Sequence, residues 1–174
     1  AYRLHLKAAQ KGDDYAQYNV GNALRTGVGV KRDSKAACRW YEAAVKNGNP
    51  HACNQLAIMY FSGTTDGVPK NAKEGVRLLV KGADMGCPFA QSNLSYHYEQ
   101  GKYFKKDMKQ AIYWYQKSAD QDADNRVPCQ IGELYEKEIG VPKDMTVAIS
   151  YYERAAKLGN KSAKYRLQEL QQNR

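Results

Sequence analysis

The sequence predicts an all-α solenoid of antiparallel helix pairs, and three observations carry that prediction. One short segment recurs along the chain, a second follows it at a fixed distance, and capping residues separate the two. The first segment reads Ala16-Gln-Tyr-Asn-Val-Gly-Asn-Ala-Leu24, Ala52-Cys-Asn-Gln-Leu-Ala-Ile-Met-Tyr60, Ala90-Gln-Ser-Asn-Leu-Ser-Tyr-His-Tyr98 and Val127-Pro-Cys-Gln-Ile-Gly-Glu-Leu-Tyr135, with a fifth copy beginning at Ala163. These anchors lie 36, 38, 37 and 36 residues apart. Apolar residues at i, i+4 and i+8 give each copy the stripe of an amphipathic helix, helix A.

Helix B carries the second signature: Ala37-Cys-Arg-Trp-Tyr41, Gly75-Val-Arg-Leu-Leu79, Ala111-Ile-Tyr-Trp-Tyr115 and Ala148-Ile-Ser-Tyr-Tyr152, each followed by a small pair such as Ala155 with Ala156. Bulk beside small residues is what two closely packed helices require. The Trp40–Tyr41 and Trp114–Tyr115 pairs therefore read as core, with Trp40 and Trp114 buried. Asp33, Asn71, Asp107 and Asp144 stand where a short oxygen-bearing side chain caps helix B. Gly27, Gly63 and Gly101 end helix A, with Glu138 in that place in the fourth unit. Gly48, Gly86 and Gly159 mark the turns from B to A, with Asp122 in the equivalent place. The stretches around Thr64–Asp66 and near Asp124 read as tolerated loop insertions. The residue after the central apolar of helix A is small in four units (Gly21, Ala57, Ser95, Gly132), which lets helix B approach. In the fifth it is Gln168, so the last helix reads as a cap with the polar finish Gln171-Gln-Asn-Arg174.

This divides a single repeat domain, 1–174, into a partial helix B of a preceding unit (1–11), repeats over 12–47, 48–85, 86–121 and 122–158, and a capping helix (159–174). Ala1, Leu4, His5 and Ala9 fit the helix B register of that preceding unit, so the chain is expected to belong to a longer array.

Composition sets the function classes aside in turn. With 43% hydrophobic and 26% charged residues the chain is of globular composition, not disordered. No apolar stretch reaches the roughly 20 residues that span a bilayer, so no direct membrane insertion is expected. Cys38, Cys53, Cys87 and Cys129 form no CxxC pair and no metal-ligand spacing with His5, His51 or His97. Antiparallel pairing about Gly48 puts Cys38 opposite a residue near Ile58, well past Cys53. Four free thiols and a reducing, cytoplasmic location follow as expectations. Gly27-Val-Gly29 is a helix terminator, not a phosphate cradle, and Asp13–Asp14 and Asp120 with Asp122 lie in solvent-facing turns. The residues point to no enzyme, cofactor or metal.

The combined pattern, small-Gln-x-x-Leu-Gly-x-x-Tyr, Gly-x-Gly-Val-x-x-Asp and Ala-x-x-Trp-Tyr-x-x-Ala-Ala-x-x-Gly, resembles the Sel1-like repeat family. The first unit carries it most fully, in Ala16, Gln17, Gly21, Gly27, Gly29, Val30, Asp33, Ala37, Trp40, Tyr41 and Gly48. The resemblance implies a right-handed α/α superhelix related to tetratricopeptide repeats and a role as an adaptor in protein assemblies. One branch of the family is secreted, joins the two helices of each repeat by a disulfide and includes members described as binding or hydrolysing β-lactams. That pattern needs one cysteine in each helix of a unit, and here only Cys38 lies in a helix B, so a β-lactam activity ranks last among the readings.

Two surfaces are expected to carry function. The inner face of helices A presents Tyr18, Asn22 and Arg25, then Asn54, Ile58 and Phe61, then Phe89, Ser92, Tyr96 and Glu99, then Cys129, Glu133 and Glu136. Exposed rings beside amides suit a partner peptide or helix. The second surface is a basic strip along the A-to-B loops, formed by Arg32, Lys35, Lys70, Lys73, Lys106, Lys109 and Lys143, in a chain of net charge +9. Its alternative role is electrostatic binding of an acidic polymer or nucleic acid. Protein or peptide ranks ahead of nucleic acid as the partner.

Overall fold

A computed structural model describes residues 2–172; Ala1, Asn173 and Arg174, named above in the terminal readings, lie outside the described residues. Among the described residues there are ten helices and no strand. Helices A are α2 (Asp14–Thr26), α4 (Pro50–Ser62), α6 (Pro88–Gln100), α8 (Arg126–Glu136) and α10 (Lys161–Gln172). Helices B are α1 (Tyr2–Gln10), α3 (Ser34–Lys46), α5 (Ala72–Asp84), α7 (Met108–Ala119) and α9 (Met145–Lys157). The chain forms two compact units, residues 1–90 and 91–174, with the division inside α6.

The helix boundaries follow from their caps. Asp33, Asn71, Asp107 and Asp144 each accept the backbone N–H three residues on, at 2.8, 3.1, 3.0 and 3.0 Å. Each thereby satisfies an otherwise orphaned donor of the first turn. Glu138 takes up the left-handed conformation (φ 58) where earlier units use glycine to end helix A. Asp122 does the same (φ 51) in the turn from B to A.

In unit 1, Gly21 and Gly75 set how closely helices A and B meet. A Cβ at Gly21 would stand 2.7 Å from the Tyr41 ring, and one at Gly75 would stand 2.7 Å from Phe61. In unit 2 the same relation holds between Gly132 and Tyr152 at 2.8 Å. Tyr41, Tyr115 and Tyr152 are the largest fully buried side chains. Here the structure corrects the expectation for Trp40 and Trp114, which are only half-buried. The tyrosine lies four residues after the small residue of helix B and so shares its inward face. The tryptophan, one residue earlier, is turned about 100° away around the helix.

Polar side chains tie the helices together, both within a repeat and between neighbouring repeats. In unit 1, Asn47 donates to Gly12 O at 3.1 Å and to Gln17 Oε1 at 3.0 Å, and Asn49 donates to Asp14 at 2.9 Å. In unit 2, Gln121 donates to Gln91 at 2.9 Å, and Asn125 and Asn160 donate to the carbonyls of Leu158 and Asn125 at 3.1 and 3.0 Å. The insertion around Thr64–Asp66 is also such a tie. Asp66 Oδ2 accepts the Ser34 N–H at 2.9 Å, capping α3 from the next repeat, and pairs with Arg32 at 3.9 Å. Hydrogen bonding from Ser34 holds the Asp66 carboxyl down at about 2.

Candidate functional site: the helix A faces

In unit 1 the start of each helix A contributes an aromatic ring, and the rings form a row. Tyr15 and Tyr18 lie 6.3 Å apart, Tyr18 and His51 5.9 Å, and His51 and Phe89 6.4 Å. All three contacts are tilted, with centroid separations in the range of interacting aromatic pairs. Tyr15 is 61% exposed and Phe89 38% exposed, so solvent reaches both of these rings. Tyr15 and His51 were missed in the sequence reading, which named only Phe89 from this column. The signal was available: each occupies the position just before the anchor alanine.

The remaining candidates of unit 1 divide by burial. Ile58 stands exposed at 42%. Asn22 accepts the Tyr41 hydroxyl at 2.7 Å, and Arg25 Nε donates to the same hydroxyl at 3.3 Å. Both side chains thus serve first to satisfy a buried phenol. Phe61 fills the space over Gly75, in the repeat whose helix B carries Leu79 where the others carry tyrosine. Asn54 is only 3% exposed, which corrects its assignment to the open face. Cys129 in the same column is also buried, whereas Tyr18 and Ser92 there are half-buried.

In unit 2 the corresponding face is polar and ion-paired. Tyr96 is exposed at 48% and Ser92 is half-buried. Glu99 accepts the Tyr115 hydroxyl at 2.9 Å and Glu136 accepts the Tyr152 hydroxyl at 2.6 Å. Glu136 also receives Arg166 Nε at 3.0 Å, and this guanidinium, ahead of the Tyr152 hydroxyl, draws its carboxyl below the ordinary range. Glu133 is exposed and bridged to Lys137 at 3.2 Å. Glu133, Glu136 and Lys137, with Cys129, Tyr165 and Arg166, line a groove of about 690 Å³ along α8 and α10.

The basic positions Arg32, Lys35, Lys70, Lys73, Lys106, Lys109 and Lys143 are all exposed. In unit 1 the strip is not purely basic, because Asp66 pairs with Arg32 and the Lys35 methylenes run against Gly67.

The four cysteines are free and buried. Burial raises every one of the thiols, Cys38 to about 11 with help from Glu42, which keeps them protonated and weakly nucleophilic. Cys87 Sγ lies 3.5 Å from His51 Nδ1, yet at 1% exposure it is a core contact behind the ring row. Among the described residues no cluster of three His, Cys, Asp or Glu side chains is placed to hold a metal, and no helix is long and apolar enough to cross a membrane.

The Sel1 repeat pattern matches residues 1–13, 14–49, 50–87, 88–122 and 129–160. The chain belongs to the Sel1 repeat family. Its fold is that of Sel1-repeat solenoids. A Sel1 repeat protein from Oxalobacter formigenes superposes with a TM-score of 0.84 at 30% identity, over 97% of this chain and 48% of that one. A protective antigen of uropathogenic Escherichia coli strains superposes equally well, at 28% identity over 96% of this chain and 35% of its own length. By sequence, the chain is 29% identical over 98% of its length to DAP3-binding cell death enhancer 1 of Rattus norvegicus. It is also 29% identical over 77% of its length to the chitin synthase regulator SKT5 of Saccharomyces cerevisiae. The chain spans about a third of the first of these curated relatives and a fifth of the second. The stretch that the repeat pattern skips between its last two matches, 123–128, holds the Asp124–Arg126 ion pair at 2.7 Å.

Proposed function

We propose that this chain is a non-catalytic protein-interaction scaffold, and that the helix A face of unit 1 grips a peptide or helix from its partner. The observation that carries the reading is the row Tyr15–Tyr18–His51–Phe89, with Ile58 exposed farther along α4. Aromatic side chains on rigid helices lose little entropy on contact and supply much of the energy in protein interfaces. Asn22 and Arg25, already fixed by the Tyr41 hydroxyl, offer their remaining polar capacity at a preset angle. Relatives named for binding or regulating another protein are consistent with the reading.

The test compares affinity capture by the wild-type chain and by a Tyr18→Ala, Phe89→Ala variant, quantified by mass spectrometry. Each ring is expected to contribute roughly 1–2 kcal/mol to partner binding. The wild type should therefore retain a protein set that the variant loses, with both helical by circular dichroism. Identical captured sets would remove the ring row from the binding surface.

A further inference from the structure

One loop of unit 2 departs from the repeat at two adjacent positions. In repeats one, two and four the residue four before the helix B cap is a glycine with positive φ: Gly29 at 73°, Gly67 at 104° and Gly140 at 75°. In the third repeat the same position is Tyr103, held at φ 69. A bulky residue is disfavoured there, and such outliers persist where the surroundings or a function demand them. The next position is Val30, Val68 and Val141 in the other repeats but Phe104 in the third. This loop alone thus replaces a Gly-Val pair with two rings.

The same loop concentrates charge. Lys102, Lys105, Lys106 and Lys109 are all exposed, and among the described residues none of them forms a salt bridge. Asp107 is the only acidic side chain between them, and it is occupied in capping α7 at 3.0 Å from the Gln110 N–H. A cavity of about 680 Å³ opens here, lined by Tyr98, Phe104, Lys105, Lys106, Asp107 and Gln110. Its aromatic wall is the Tyr98–Phe104 pair, with ring centroids 4.6 Å apart. Tyr103 stands beside it, 38% exposed, with its ring against His97 at 5.1 Å and the Lys102 ammonium 5.2 Å from its centroid.

We propose that the α6–α7 loop is a second docking site, separate from the helix A face, that takes an acidic peptide segment carrying an apolar side chain. The lysines supply the complementary charge and the ring-walled cavity receives the side chain. A long polyanion fits less well, because the charge does not continue along this unit. In the next loop, α8–α9, Lys137 is already bridged to Glu133 at 3.2 Å, and Glu138 stands between it and Lys143. Lysines without a salt bridge around a half-buried aromatic wall favour a short segment bound at one place.

The probe is a short fluorescein-labelled peptide of aspartates and glutamates around one phenylalanine, titrated by anisotropy against the full chain. Binding should saturate and weaken steeply with salt. Lys105→Glu with Lys106→Glu should raise the dissociation constant at least about tenfold, while the charge-matched pair Lys157→Glu with Lys164→Glu should change it less than about threefold. Tyr103→Gly restores the residue that the other repeats use. It should keep or raise the melting temperature while weakening the peptide, a combination that a purely structural tyrosine would not give. Equal weakening by both lysine pairs, or a Tyr103→Gly variant that binds as the wild type does, overturns the site. A single-stranded oligonucleotide of matched charge that binds more tightly than the peptide overturns the choice of partner.

Discussion

The residue before each helix A anchor is Tyr15, His51 or Phe89 in unit 1, but Arg126 or Ser162 in unit 2. The two units solve one packing problem and then dress its surface differently. Beneath this column both bury a tyrosine against the small residue of helix A and satisfy its hydroxyl from the neighbouring turn. Unit 1 does so with Asn22 and Arg25, and unit 2 with Glu99 and Glu136. The difference teaches which positions are free. The column that meets the hydroxyl is bound to the fold, whereas the column at the helix start varies from rings to an ion pair without disturbing it. A recognition surface is best sought in the second kind of column.

The largest expected effect tests the shared part of that comparison. Tyr115→Ala should destabilise the chain by about 3–5 kcal/mol, as removal of a buried ring does. Trp114→Ala, at the half-buried neighbour, should lose clearly less, within about 1–2 kcal/mol. Denaturant melts of the two variants check the order. A Trp114 loss equal to or above that of Tyr115 would reverse the assignment of core and surface within helix B.

A middle-sized effect probes how tightly helix A and helix B meet. Gly132→Ala brings a methyl to 2.8 Å from the Tyr152 ring, and Gly21→Ala brings one to 2.7 Å from Tyr41. Overpacking of this kind costs about 1–3 kcal/mol, offset by up to about 1 kcal/mol of helix propensity gained over glycine. Both variants should melt lower than wild type by similar amounts, although they lie in different units. A gain at either site would mean that the ring yields easily and that the small residue is not what sets the helix spacing.

Much of this was legible in the sequence because repetition multiplies weak signals. A single aspartate before an apolar run is a poor cap signal, but Asp33, Asn71, Asp107 and Asp144 at one register position are a strong one, and all four accept the expected N–H. The small column Gly21 and Gly132 showed itself in the same way. What failed was rotation about the helix axis. Trp40 and Tyr41 are adjacent and both large, so composition could not say which points inward; only their spacing from Ala37 could. Asn54 failed for the opposite reason, since an amide reads as surface until the neighbouring helix covers it. The Asp66 latch was invisible because it joins a loop to the preceding repeat, a contact that no periodicity encodes.

The smallest effect separates the two units by their chemistry. The Tyr152 hydroxyl in unit 2 meets a carboxylate, Glu136, which Arg166 draws below its ordinary pKa. The folded carboxyl therefore holds its proton less tightly than the unfolded one. Its stabilisation is complete above the ordinary glutamate value of about 4.3 and is lost as pH falls through the lower folded value. Because Arg166 is 38% exposed, solvent screens the pair and the contribution is about 1 kcal/mol. The matching tie in unit 1, Tyr41 with Asn22 and Arg25, contains no carboxylate. The Asp66 latch on α3 holds its charge down to about 2. Lowering the pH from neutral through the glutamate range should thus reduce amide-exchange protection in α8 and α10 before α2 and α3, once intrinsic exchange rates are corrected. Glu136→Gln should carry the lower protection already at neutral pH and abolish its further decline in acid. Should α2 and α3 loosen first, or should the glutamine variant keep the wild-type acid response, the hydroxyl ties of the two units are not the groups that respond to acid.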